Sequence, residues 1–158
     1  MIDQKITLQA SEKLTIKELK GINYLIKSFQ IHVARNALST IDPSRLVSNG
    51  LRLYYHHLQA KVSLFEFETS RDTVFLEQAR EQMQLLLDIS RFSRCKLRDP
   101  NCLYTRCLIA LNYSEYATNP KLRKQALTEA ELLTRTGLKN FPELQCFNWL
   151  GHRFQINS

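Results

Sequence analysis

The chain has 158 residues, 44% of them hydrophobic and 23% charged, with 22 Lys and Arg against 15 Asp and Glu for a net charge of +7. It is long enough to bury a continuous core and too apolar to be a disordered segment. Four Gly and four Pro are too few for the frequent turns of a sandwich or barrel, so the expected fold is all-α.

The positive balance favours acidic partners: nucleic acid, an anionic membrane surface or an acidic protein. The basic residues are nevertheless spread along the chain, for which a basic, soluble surface is the plainer account. No run approaches the ~18 consecutive apolar residues of a membrane span. The opening "MIDQKITLQASEKL" also lacks the apolar core of a secretory signal, so membrane insertion is not expected. Cys95, Cys102, Cys107 and Cys146 have neither framework nor metal-knuckle spacing. They point to a reducing, cytoplasmic setting, with structural thiols, no metal and no cofactor.

Residues 1–13 carry no clear period and read as a tail or extended arm, leaving 14–158 as a single all-helical domain. Thr15 and Glu18 have capping-box spacing. From there Leu19, Ile22, Ile26, Phe29 and Val33 form one helical stripe, with Lys17, Lys20, Lys27 and Arg35 mostly off it. Asp42 and Pro43 then supply a strong start signal, with Ile41 and Leu46 placed as a hydrophobic staple. The helix that follows is apolar on two faces. One carries Val47, Leu51, Tyr54, Leu58, Val62 and Phe65, and the other Leu53, Ala60, Leu64 and Phe67, which predicts an inner helix. Ser70 or Asp72 is the expected cap of the next, whose stripe is Leu76, Ala79, Met83 and Leu86, with Arg80, Glu81, Gln84 and Asp88 towards water. Asp99-Pro100 and Asn119-Pro120 repeat the Asx-Pro device, and Pro142 opens the last helix. The pattern predicts six helices over 15–40, 43–68, 72–94, 100–117, 120–139 and 142–156, and the short connections make sequential neighbours antiparallel.

In "PELQCFNWLGHRF", Phe147, Leu150, Gly151 and Phe154 have the spacing Phe-x-x-Leu-Gly-x-x-Phe. Upstream, Ala130, Gly137 and Pro142 follow a small, small, proline order. This segment resembles a tetratricopeptide repeat junction, in which a Trp-x-x-Leu-Gly-x-x-Tyr helix packs closely on its neighbours within ~34 residues. A weaker echo places Ala110 and Tyr113 on the same pattern, with Arg106 where the leading aromatic belongs. The resemblance covers roughly the C-terminal 60 residues, and an unrelated helical bundle accounts for the same stripes. It implies a stack of helical hairpins that binds a peptide or helix, or sits as one subunit of a larger assembly.

No Gly-rich phosphate loop, nucleophile turn or metal motif appears, so no enzymatic activity is expected. His56 and His57, adjacent on a helix, diverge by about 100°, which predicts one against a neighbouring helix and one towards water. The most concentrated charge is "RFSRCKLR". Its Arg91, Arg94, Lys96 and Arg98 complement a helix C-terminus or form a basic loop. Lys121, Arg123 and Lys124 make a second basic group. With Tyr55 and Tyr116 as amphipathic anchors, these are the candidate partner-binding residues. The expected function is protein–protein interaction, as adaptor, chaperone or assembly subunit, with another protein, acidic or not, as the partner within a multi-subunit assembly. The alternative is a nucleic-acid-associated protein whose basic loops clamp phosphates non-specifically.

Overall fold

The structure, a computed structural model, describes the backbone of residues 2–93 and 97–156, and within them the side chains from residue 10 onward. The described chain is all-helical, with no strand. Its seven α-helices are α1 (Ile2–Lys27), α2 (Ile31–Ser39), α3 (Asn49–Ser70), α4 (Thr73–Ser93), α5 (Pro100–Tyr116), α6 (Pro120–Asn140) and α7 (Gln145–Arg153), with a 3₁₀ turn at Pro43–Arg45. The chain divides into two compact units, residues 1–95 and 96–158, where one domain was expected. Residues 2–13, expected as a tail or arm, are the first half of α1.

In the first unit, α1, α2 and α3 pack on one another and α4 pairs with α3. Leu19, Ile22 and Ile26 of α1 meet Ala34 and Leu38 of α2 and Leu51, Leu58 and Val62 of α3 in one buried cluster. Each fully buried Leu or Ile in it contributes about 1.5–3 kcal/mol. The second stripe of α3 (Leu53, Ala60, Leu64, Phe67) is equally buried but lies outside that cluster, as expected of a helix flanked on both sides. On α4 the buried residues are Leu76, Ala79, Met83 and Leu86. Of its expected outer residues, Glu81 and Gln84 are exposed while Arg80 and Asp88 are half-buried. Arg35 ties α2 to α3 through three hydrogen bonds, donating from Nε to Glu66 Oε1 at 2.7 Å, from Nη1 to Gln59 Oε1 at 2.7 Å and from Nη2 to Ser63 Oγ at 2.8 Å.

The helix expected over 15–40 is two helices. Phe29 takes φ 60°, Gln30 N–H donates to Leu25 O at 2.9 Å and Phe29 N–H to Ile26 O at 3.0 Å. This is a Schellman ending with a phenylalanine where glycine is usual. The break turns Phe29 and Val33 out of the stripe, and both are exposed. Thr15 is not a cap. Its hydroxyl donates to Ser11 O inside α1 at 3.0 Å, the back-bond open to any mid-helix threonine. Glu18 accepts from Arg45 Nη2 at 2.8 Å instead.

All three Asx-Pro signals act as caps: Asp42, Asp99 and Asn119 each accept from a backbone N–H two residues on, at 2.9 Å. The first opens only the 3₁₀ turn. Ile41 and Leu46 are buried as a staple would bury them. A second cap, Ser48, accepts from Leu51 N–H at 3.2 Å and starts α3 afresh, leaving Val47 exposed. Asp72, not Ser70, caps α4, accepting from Val74 N–H at 3.0 Å.

In the second unit α5 pairs with α6, and α7 packs on α6. Its core joins Cys107, Ala110 and Leu111 to Ala130 and Leu133 and to Phe147 and Leu150. Phe147 is fully buried, edge-on to Tyr104 and stacked on Phe141. Its ring lies over Gly137, where a β-carbon would fall 2.1 Å from Phe147 Cδ1. At Gly151 a β-carbon would meet Leu138 Cδ1 at 3.0 Å. Tyr113 is buried, Phe154 half-buried, and Pro142 is an exposed turn residue ahead of α7, which starts at Gln145 after an N-cap, Leu144, that has no side-chain bond.

Candidate functional site

α5 ends at Tyr116, and a short link delivers Asn119-Pro120 to open α6. Asn119 Oδ1 accepts from Lys121 N–H and, more weakly, from Leu122 N–H at 3.4 Å. The first turn of α6 therefore presents Lys121, Arg123 and Lys124, and no acidic residue accompanies them. Cations there oppose the helix dipole at about 0.3–1 kcal/mol each.

The three are not equivalent. Arg123 Nε donates to the Ser114 carbonyl at 3.1 Å, which satisfies an orphan acceptor at the end of α5. Lys121 and Lys124 are exposed and have no ion pair among the described residues. With Gln125 and Thr128, at helical spacing, they line an open depression of about 400 Å³.

The end of α7 reaches the last turn of α5. Arg153 Nη2 donates to Glu115 Oε1 of α5, and its guanidinium lies 6.0 Å from the centroid of the Trp149 ring. Trp149 is 54% exposed and Tyr116 38% exposed. Arg153 thus bridges a carboxylate and an indole, and the indole remains a large apolar ring open to water. Trp149 is the chain's single tryptophan and is the residue that the repeat pattern passes over. It stands two after Phe147, on the opposite side of the helix from the buried stripe.

The other candidates lie elsewhere. Arg91, exposed at the end of α4, belongs to the first unit and Arg98 to the second, while Arg94, Lys96 and Cys95 fall outside the described residues. Tyr55 is half-buried against the first unit's core, and its hydroxyl accepts from Gln59 at 2.9 Å. It serves the Arg35 network instead of offering a free ring.

Of the adjacent histidines one is buried and the other half-buried. His57 is buried, and His56 Nδ1 is 2.7 Å from Gln82 Oε1 of α4. Burial pushes the Cys102 thiol up to about 11 and the Cys107 thiol up to about 12, with a Thr134 hydrogen bond opposing the second shift. Among the described residues no three His, Cys, Asp or Glu side chains converge where a metal could be held, and no helix is long and apolar enough to cross a membrane. No protein-family model, curated protein or solved structure matches the chain.

Proposed function

We infer that the chain is a non-enzymatic protein–protein interaction module that docks an acidic partner on the α5–α6–α7 end of its second unit. The observation that carries this reading is the exposed Trp149 with Arg153 against it, Arg153 being bonded in turn to Glu115 in the last turn of α5, next to Tyr116 and ahead of the exposed Lys121 and Lys124 that open α6. Trp, Tyr and Arg dominate interface hot spots. The unpaired lysines give the face its preference for acidic segments and a fast, salt-sensitive encounter.

The reading extends to a tetratricopeptide-like hairpin stack acting as adaptor, chaperone or assembly subunit. The seating of Phe147 on Gly137 supports it, since such stacks use small residues to bring helices together. A cytoplasmic setting suits the free thiols of Cys102, Cys107 and Cys146. Thiols pushed up to about 11 and 12 are poor nucleophiles at neutral pH, which favours a non-enzymatic role.

The test is affinity capture from the native source after nuclease treatment, comparing wild type with Trp149→Ala and with Lys121→Glu/Lys124→Glu. The expected result is one protein recovered near stoichiometrically with wild type and depleted at least about tenfold with each variant, the loss of ~1.4 kcal/mol or more that a hot spot carries. Identical recoveries with all three baits would refute the reading.

A further inference from the structure

The outer face of α1 carries a second feature, in the first unit and independent of the docking face. Lys13, Lys17, Lys20, Tyr24 and Lys27 follow one another at alternating four- and three-residue steps. At 100° per residue they fall within an arc of about 80°, along about 21 Å of helix. All five are exposed, Tyr24 at 69%. None of the four lysines has an ion pair among the described residues. The acidic residues nearby are off the stripe: Glu12 sits on its flank, and Glu18 is held by Arg45. Like charges at three- and four-residue spacing destabilise a helix, so this face gains from an anion laid along it.

Three polyanionic occupants compete. An acidic helix would find no apolar seam here, and exposed Lys–carboxylate pairs contribute little. An anionic bilayer would need the helix to turn an apolar face inward, but Leu19, Ile22 and Ile26 of α1 are committed to the core. Nucleic acid needs neither, because phosphate binding draws on counterion release and not on pair geometry. Tyr24, flanked by Lys20 and Lys27, decides between its forms. A duplex keeps its bases stacked away, whereas a single strand offers each base to an exposed ring. We propose that this face of α1 binds single-stranded nucleic acid, the lysines following the phosphates and Tyr24 stacking on a base.

The probe is a fluorescein-labelled polythymidine of about 12 nucleotides, read by anisotropy. With four phosphate contacts, affinity should fall about 50-fold between 50 and 200 mM salt. Lys13, Lys17, Lys20 and Lys27 changed together to Gln should remove both binding and its salt dependence. The same loss of charge away from both faces (Arg91, Arg98, Arg135 and Lys139 to Gln) should leave affinity within about threefold, since it touches no proposed phosphate contact. Tyr24→Ala should weaken binding by about 5- to 150-fold. These substitutions sit at exposed positions, and circular dichroism checks that the helices persist. Equal losses in the α1 variant and this charge control would reduce the effect to net charge and overturn the proposal. So would a silent Tyr24→Ala with equal affinity for duplex, or binding to phosphatidylserine vesicles without binding to the oligonucleotide.

Discussion

A β-carbon on Gly137 would sit 2.1 Å from a ring that cannot retreat, because Phe147 is fully buried with Tyr104 edge-on to it and Phe141 stacked on it. Gly137→Ala should therefore destabilise by about 1–3 kcal/mol net, although alanine in an open helix would gain ~1 kcal/mol. Gly151→Ala faces only the tip of a flexible leucine and should be near neutral, while Gly151→Leu should cost about 1–3 kcal/mol by overpacking. Urea melts of the three variants check the order; a stabilising Gly137→Ala would contradict the contact. The buried thiols give a pH test. Cys102 and Cys107 are raised from 9.0 to about 11 and about 12, so the folded state holds protons that the unfolded state releases. Their contribution is complete below pH ~9 and is lost as pH climbs through the folded values. Between pH 8 and pH 10 wild type should lose about 2–3 kcal/mol more than Cys102→Ala/Cys107→Ala. Parallel pH dependence in the two proteins would show that the thiols play no part.

Helix endings are written here in residues that seldom signal them. Phe29, Arg71 and Gln155 all take positive φ, and each closes a helix through its own N–H: Phe29 to Ile26 O, Arg71 to Phe67 O at 2.7 Å, and Gln155 to His152 O at 3.1 Å. The four glycines sit inside α1, α3, α6 and α7 instead. A left-handed non-glycine residue costs roughly 1–2 kcal/mol. Exposed Gln155 replaced by Gly should therefore raise stability by about 1 kcal/mol, seen as a higher urea midpoint at unchanged slope. No gain would mean that the α7 ending is not strained. Phe29→Gly should change little, since the strain relieved is offset by the edge-on contact with Phe65 at 6.0 Å. The same chemistry explains what could be read in advance. Helix starts at Asp99 and Asn119 were legible because an Asx side chain and a proline act locally. The end of α1 was not, because nothing in "KSFQ" forbids another turn. Thr15 misled because its hydroxyl serves a cap or a back-bond equally well.

At the scale of the whole molecule, the stripes on α4 and the two-faced apolarity of α3 were legible, since burial follows period. The division into two units was not, because no linker composition marks it. Of the proposed docking face, Lys121, Arg123, Lys124 and Tyr116 stand out in the sequence, but Trp149 is silent in a repeat pattern that attends to the buried side of its helix. That silence makes it the best reporter. As the chain's single tryptophan, 54% exposed, it reads one surface alone. The most direct measurement is Trp149 emission, with acrylamide quenching, as the protein recovered by affinity capture is titrated in, using a non-fluorescent or tryptophan-free form of that partner. Free protein should show the red emission of a wetted indole, and saturation should shift it to the blue and protect it from quencher. Emission and quenching that stay unchanged at saturation would place the partner elsewhere and contradict the account.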